Sequence, residues 1–144
     1  AKKYHKEVFE KIFGEFNEAK WHRIIVIASI IQKEAANVDE MPLVSSVIYN
    51  RLKKDMKLQM DGTLNYGQYS HVKVTPARIK EDTSSYNTYM YKGLPPHAIG
   101  SVSKEAIFAA IYPKQTNYLY FVKNKNGTHS FTQNYETHLE NIRN

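Results

Sequence analysis

Glu34 is the acidic residue of this chain that is best placed for acid–base chemistry. It ends the apolar segment 24–34, which is long enough for an α-helix. At about 100° per residue, Ile27, Ile31 and Glu34 fall within roughly 60° of one another on such a helix. A carboxylate on a buried stripe is costly unless it is paired or neutral, and a neutral acid can protonate a leaving group. The alternative is that Glu34 lies at a frayed helix end and reaches solvent.

Asp61 is the second carboxylate of interest, because it sits in the polar segment LQMDGT at 58–63. Two carboxylates that flank a glycosidic bond make a glycosidase, in which one is the acid and the other is the nucleophile or base. The simpler interpretation is that Asp61 and Gly62 form a turn. In the same way, His129 and Phe131 share one face of a predicted strand, where either packing or a substrate contact would explain them.

The residue types exclude several other chemistries. The chain has no cysteine, so disulfides, thiolate metal sites and cysteine nucleophiles are excluded. The six histidines lack a metal-binding spacing such as HExxH, and the sequence contains neither a G-x-S-x-G motif nor a phosphate-binding loop. The sequence therefore predicts carboxylate chemistry without a metal or cofactor.

The composition is that of one soluble globular domain with a basic surface. Of the 144 residues, 42% are hydrophobic and 24% are charged. The 20 basic and 14 acidic residues give a net charge of +6, which favours an anionic partner. The lysines form no dense run of the kind that binds nucleic acid. The longest apolar stretch, at 24–31, is too short to span a bilayer.

The periodicity of the chain predicts an α+β fold that is mainly helical and has one small antiparallel hairpin. Helices are predicted over residues 3–16, 21–34, about 40–54, 76–80, 104–112 and 133–142. Asp39, Thr75 and Ser103 are the predicted N-caps of the third, fourth and fifth of these helices.

The remaining segments are predicted as strands and loops. Residues 118–122 and 128–132 form a hairpin around Asn126-Gly127, and residues 72–74 form a short strand. Residues 82–102 are rich in Ser, Thr, Tyr, Gly and Pro, which predicts a long ordered loop.

Several motifs follow one another along most of the chain, from about residue 24 to residue 140. They are ASIIQKE at 28–34, YNRL at 49–52, LQMD at 58–61, YNTY at 86–89, GLPPHAI at 93–99 and YLYFV at 118–122, followed by His129 and Phe131. In this order they resemble the catalytic domain of the MltG (YceG-like) endolytic murein transglycosylases. Each motif alone is weak, but the ordered set is highly specific.

The resemblance implies a peptidoglycan lytic transglycosylase, which cleaves between N-acetylmuramic acid (MurNAc) and N-acetylglucosamine (GlcNAc) inside glycan strands. An acid protonates the leaving oxygen, and the C6 hydroxyl of MurNAc attacks C1 to give a 1,6-anhydro end. Because this hydroxyl replaces water, one carboxylate can act first as acid and then as base. Glu34 matches the family's catalytic glutamate.

The resemblance also indicates a sugar cleft around Glu34. Its predicted lining residues are Asn50, Gln59, Asp61, Tyr86, Asn87, Tyr89 and His129. Gln59 and Asn87 would bond acetamido or hydroxyl groups, and the two tyrosines would stack on sugar rings or hold the 82–102 loop. Asp61 would stabilise oxocarbenium charge or orient a loop, whereas Arg51 is interpreted as structural.

The chain departs from the family pattern at three positions. The motif Ser-Ile-x-Glu-Lys-Glu has Gln32 in place of its first acid, on the helix face opposite Glu34. Gly62 stands where proline is frequent and His97 where glycine is common, and both are predicted to lie in cleft loops and to alter the grip on substrate.

The resemblance also predicts the setting in which the chain works. Family members carry an N-terminal membrane anchor and a LysM-like segment, so residues 1–144 are interpreted as a single catalytic domain, a fragment that lacks both. Its predicted location is the periplasmic, extracytoplasmic face of the bacterial inner membrane. The predicted partners are peptidoglycan strands and cell-wall synthases, with no nucleic acid and with membrane contact only through the missing anchor.

Three other functions remain open at this point. A hydrolytic muramidase would need a second carboxylate about 5–9 Å from the acid, and Asp61 is the candidate. A non-catalytic peptidoglycan-binding module would not depend on Glu34. A basic nucleic-acid-binding protein would bind DNA with a steep salt dependence.

Overall fold

The computed structural model describes residues 17–69 and 72–143, and the helix predicted over residues 3–16 lies outside them. Within this part of the chain there are five α-helices: α1 Glu18–Glu34, α2 Met41–Lys53, α3 Pro76–Glu81, α4 Lys104–Ile111 and α5 Tyr135–Arg143. One two-stranded sheet joins β1 Tyr120–Lys123 to β2 His129–Thr132. The predicted α+β class is confirmed. No described helix has the length and apolar character needed to cross a membrane.

The core lies between α1, α2 and α4, and α1 is its central element. The Asn17 side chain caps α1 by accepting a hydrogen bond from the backbone N–H of Lys20 at 3.0 Å. The predicted apolar stripe is buried, since Ile27, Ile30 and Ile31 have no exposed surface. Burying each such side chain contributes about 1.5–3 kcal/mol, so α1 is fixed firmly and holds its last residue in a defined place.

The start of α2 differs from the prediction. Asp39 is not its N-cap, because a 3-10 helix, Val38–Glu40, precedes α2, and Asn37 caps that turn by accepting from the Glu40 N–H at 3.0 Å. Glu40 occupies the cap position of α2 without a capping hydrogen bond, because its carboxylate bonds elsewhere. The predicted caps of α3 and α4 are confirmed, with Thr75 and Ser103 accepting from backbone N–H groups.

Residues 72–74 do not form the predicted strand. The Val72 carbonyl accepts a hydrogen bond from the Asn65 side chain at 2.8 Å instead of from a neighbouring strand. Alternating apolar residues over so short a segment do not make a strand without a partner strand to bond.

The predicted hairpin is present and lies against the C-terminal end of α2. Its strands pair antiparallel, with Phe121 opposite Phe131, and Gly127 adopts a positive φ of 92° in the turn, as the Asn-Gly sequence predicts. Asn50 and Arg51 of α2 donate side-chain hydrogen bonds to carbonyl oxygens of residues 116–119. These bonds hold the hairpin beside the C-terminal end of α2.

Candidate functional site

A cavity of about 730 Å³ opens where the end of α1, the 58–61 segment and the hairpin meet. Its wall includes Glu34, Arg51, Gln59, Asp61, Tyr89, Phe121 and His129. Four of the residues that the sequence analysis assigned to substrate contact therefore line the cavity beside Glu34: Gln59, Asp61, Tyr89 and His129.

Glu34 is the last residue of α1, and its side chain is partly buried at the cavity wall. Its Oε1 atom accepts a hydrogen bond from the Gly62 N–H at 2.6 Å. The pKa of Glu34 is raised from 4.5 to about 7, mainly because the carboxyl group is buried. The Gly62 hydrogen bond lowers the pKa in part, and the negative charge of Asp61 adds to the increase. At neutral pH the carboxyl group is therefore poised to give up a proton and to take one back.

We expect the Glu34→Gln variant to be more stable than the parent protein at pH 8 by about 1–3 kcal/mol. The pKa of Glu34 is 4.5 before folding and about 7 after it, so the stability contributed by its neutral form is complete below pH 4.5. That contribution is lost as the pH rises through about 7. Glutamine never ionises, so it avoids this loss, and the figure allows for the partial exposure of Glu34.

Urea unfolding of both proteins at pH 4 and pH 8 measures this difference. The higher free energy of unfolding of Glu34→Gln should be present at pH 8 and largely absent at pH 4. An equal gain at both pH values would contradict a raised pKa for Glu34.

Asp61 begins the 3-10 helix Asp61–Leu64 and is exposed in the cavity. Its Oδ1 atom accepts a hydrogen bond from the hydroxyl group of Tyr89. Burial and the bond to Asp61 raise the pKa of Tyr89 well above its usual value, so the phenol stays neutral and remains a donor. Tyr89 thus fixes the orientation of the second carboxylate in the cavity.

Gln59 reaches the cavity by means of an unusual backbone conformation. Its φ angle is 51°, in the left-handed region that residues other than glycine rarely adopt. Its N–H donates to the carbonyl oxygen of Thr88 at 3.2 Å. The Thr88 hydroxyl in turn accepts from the N–H of Met60 at 3.0 Å, so the 82–102 loop holds this segment in place.

Gly62 lies directly against the carboxyl group of Glu34. A Cβ atom at position 62 would come within 2.5 Å of Glu34 Oε1 and 2.9 Å of Lys33 Cβ. A proline there would also lack the N–H that Glu34 accepts. This departure from the family pattern therefore acts on Glu34 itself and not only on a cleft loop.

The other two departures lie outside the cavity. Gln32 points toward α4, where its Oε1 atom accepts from the N–H of the cap residue Ser103 at 3.0 Å. This agrees with the predicted placement of position 32 on the face opposite Glu34. His97 is exposed and packs edge-on against His22, with the ring centroids 5.4 Å apart.

The structure places Asn50, Tyr86 and Asn87 in the scaffold and not on the cavity wall. Asn50 donates to the carbonyl oxygens of Thr116 and Tyr118 at 2.9 Å each. The Tyr86 ring is stacked on another tyrosine ring, with the centroids 4.3 Å apart. Asn87 is fully buried, so no substrate group reaches it. These three side chains support the loops from which the cavity is built.

Asn87→Ala should lower the free energy of unfolding by about 2–3 kcal/mol. The Asn87 amide donates to the carbonyl oxygens of Ile79 and Asp82 at 2.7 Å each, and its oxygen accepts from the Tyr89 N–H at 3.0 Å. Alanine leaves these partly buried groups without the Asn87 partner. Chemical denaturation measures the loss, with the exposed Ser85→Ala in the same loop as the matched control. If Asn87→Ala kept the parental stability but bound substrate more weakly, Asn87 would be a substrate contact and not a structural residue.

Two functional features were not foreseen from the sequence. The Gly62 N–H contact to Glu34 needs the backbone of a turn 28 positions away to approach the end of α1. The other is Glu40, which is 7% exposed and bonds His129, 89 positions further along the chain. An acidic residue just before Met41-Pro42 carries no local signal of such a partner.

Comparison with known proteins identifies relatives for the whole described region. The sequence model of the YceG-like family matches residues 1–144. The chain is 37% identical over 122 residues to the endolytic murein transglycosylase of Bacillus subtilis, covering 85% of this chain and 34% of that protein. It is 32% identical over 127 residues to the endolytic murein transglycosylase of Streptococcus pneumoniae, covering 84% of this chain and 23% of that protein.

The fold has a close counterpart among solved structures. A YceG-like protein of Listeria monocytogenes superposes with a TM-score of 0.78 at 39% identity, covering 96% of this chain and 43% of that one. The chain thus spans about a third of the length of its Bacillus subtilis relative and less than half of the Listeria protein.

Proposed function

This chain belongs to the YceG-like family, whose sequence model matches it from residue 1 to residue 144, and we propose that it is an endolytic murein lytic transglycosylase. Its substrate would be the glycan strand of peptidoglycan, cut between MurNAc and GlcNAc to leave a 1,6-anhydro-MurNAc end. Relatives named endolytic murein transglycosylase, at 37% and 32% identity, support this assignment.

The observation that carries the proposal is the Glu34 carboxyl group in the cavity wall, with a pKa of about 7. A carboxyl group with this pKa is protonated often enough at neutral pH to donate to the glycosidic oxygen. The bond from C1 to that oxygen breaks, and the GlcNAc hydroxyl leaves with the proton. The Glu34 carboxylate then takes the proton of the MurNAc C6 hydroxyl group, while the oxygen of that hydroxyl group bonds to C1. Glu34 ends the cycle protonated, and no water is consumed.

The neighbours of Glu34 suit both halves of this cycle. The Gly62 N–H at 2.6 Å stabilises the carboxylate that forms after proton donation. Asp61, oriented by the Tyr89 hydroxyl, adds negative charge to the cavity. That charge favours the protonated form of Glu34 before the reaction and stabilises the positive charge that develops at C1 during it.

The family assignment also supports a setting for the reaction. Peptidoglycan lies outside the cytoplasmic membrane, so the proposed site of action is the extracytoplasmic face of the bacterial inner membrane. A net charge of +6 suits an acidic polymer. Cell-wall synthases are proposed as partners, because they make the strands that this activity would cut.

The test of the proposed function is mass spectrometry of purified peptidoglycan after digestion with this chain. Anhydro-MurNAc ends, which are lighter than reducing ends by one water, are the expected product. Reducing ends would instead establish a hydrolytic muramidase in which Asp61 is the second carboxylate. Strand binding without any cleavage product would indicate a non-catalytic peptidoglycan-binding module, and salt-sensitive binding to DNA alone would indicate a nucleic-acid-binding protein.

A further inference from the structure

Glu40 and His129 form a buried polar pair at the edge of the cavity that holds Glu34. Glu40 Oε1 lies 2.7 Å from His129 Nδ1, and Glu40 Oε2 accepts from the His129 backbone N–H at 2.7 Å. The two side chains are 9% and 10% exposed. Glu40 therefore holds both the backbone and the ring of His129.

The pair fixes which nitrogen of the imidazole carries a proton. The hydrogen bonds from His129, together with one from the Ala36 N–H, hold the pKa of Glu40 below its usual value against the opposing effect of burial. The carboxylate is then an acceptor only, so His129 Nδ1 must be the donor. In the neutral imidazole this leaves Nε2 with a free lone pair.

His129 is one of the residues that line the cavity. Among the hydrogen bonds of the described residues, none involves His129 Nε2, and this atom is not among their buried, unpaired polar atoms. Phe121 packs edge-on against the ring, with the centroids 5.2 Å apart, and restricts its rotation. The ring of this cavity-lining residue is therefore held in a fixed orientation, and its Nε2 atom keeps some accessible surface.

The pair is also close to the reacting centre. Glu40 Oε1 accepts from the Ala36 N–H at 3.0 Å, and Ala36 follows Glu34 by two residues. Two residues span at most about 7 Å of extended chain. His129 is thus joined through one carboxylate to the segment next to Glu34.

We propose that Glu40 is a positioning residue that fixes His129 so that its Nε2 atom accepts a hydrogen bond from a hydroxyl group of the sugar bound next to Glu34. The inference rests on the proposed function for the identity of the ligand, a hexose of a glycan strand. It specifies that His129 binds through Nε2 and as a hydrogen-bond acceptor. It also assigns a role to Glu40, a buried glutamate that the acid–base cycle does not use.

Two substitutions of His129 separate this role from simple packing. His129→Asn keeps an amide donor near the position of Nδ1, so it retains the bond to Glu40 and lacks the atom that reaches the cavity. His129→Gln extends a polar amide to the position of Nε2. We expect the first to raise KM for glycan strands about three- to tenfold at a parental melting temperature. The second should raise KM by less, because it restores a polar group near Nε2 but loses the Nδ1 bond to Glu40.

A Glu40→Gln variant and a control variant at a histidine outside the cavity complete the experiment. Glutamine offers only one acceptor atom to the two His129 donors, so Glu40→Gln should raise KM, and it should add little to the effect of His129→Asn. The control is His22→Asn, because His22 bonds the Pro96 carbonyl at 2.7 Å and is not part of the cavity wall. Its KM should be parental.

The results decide the inference independently of the proposed function. A parental KM for His129→Asn would overturn it, as would an equal fall of kcat, substrate affinity and melting temperature in all His129 and Glu40 variants. If the parent releases no anhydro ends, its affinity for purified strands replaces KM as the readout. Weaker binding by His129→Asn would then support this pair while the proposed reaction fails, and unchanged binding would overturn both.

Discussion

Replacing Glu34 by glutamine should lower the rate of release of anhydro-MurNAc ends by at least about 1,000-fold. One carboxyl group is proposed to donate the proton to the leaving oxygen and to accept the proton of the attacking hydroxyl, so its loss removes both steps. Glutamine has nearly the same shape, and its oxygen can still accept from the Gly62 N–H, which lies 2.6 Å from Glu34 Oε1. The loss should therefore come from the chemistry and not from a collapsed cavity.

The measurement is a time course of anhydro ends by mass spectrometry, with strand binding measured in parallel. Gln32→Glu is a matched control in the same helix, because position 32 is exposed and bonds the Ser103 N–H away from the cavity. Its rate should stay near that of the parent. A Glu34→Gln protein that keeps a tenth or more of the parental rate would show that another group supplies the proton.

Arg51→Met should lower the free energy of unfolding by about 3–4 kcal/mol. Arg51 is buried, and its guanidinium donates to the carbonyl oxygens of Leu119 at 2.7 Å and of Lys57 at 2.6 Å. It also lies over the Tyr120 ring, with Cζ 5.1 Å from the centroid. Methionine fills much of the volume but leaves these partly buried carbonyl groups without the donor. Arg51→Lys should restore only part of the stability, since one ammonium group does not reproduce the planar fork.

Urea or guanidinium unfolding measures the change. Lys53→Met, on the exposed side of the last turn of the same helix, is the control and should stay within about 0.5 kcal/mol of the parent. Because Arg51 also contributes to the cavity wall, the KM of the Arg51 variants should be measured together with their stability. Unchanged stability with a raised KM would contradict the structural role and make Arg51 a substrate contact.

The predictions that succeeded depend on neighbours in sequence. The stripe that contains Ile27, Ile31 and Glu34 follows from helical periodicity, and the caps Thr75 and Ser103 follow from side chains that bond N–H groups three residues ahead. The hairpin turn at Asn126-Gly127 follows from the positive φ that glycine allows. Each of these features is decided within one or two turns of chain.

The predictions that failed depend on partners that local patterns do not specify. Asp39 has the right chemistry for an N-cap, but Asn37 takes that role in a preceding 3-10 turn. Residues 72–74 alternate like a strand, yet the Asn65 side chain donates a hydrogen bond to the Val72 carbonyl oxygen. No strand lies beside residues 72–74 among the described residues. Asn87 has a side chain suited to sugars, but burial inside the 82–102 loop gives it a structural role.

By itself, the sequence determined the helix that carries Glu34, the face on which its carboxyl group lies, and the ordered motifs that point to the family. Only the tertiary structure decided the chemistry of that carboxyl group, because its pKa depends on burial, on the Gly62 N–H and on the charge of Asp61. The Glu40–His129 pair was likewise decided by folding. Contacts between residues 28 and 89 positions apart arise from packing, and no local pattern encodes them.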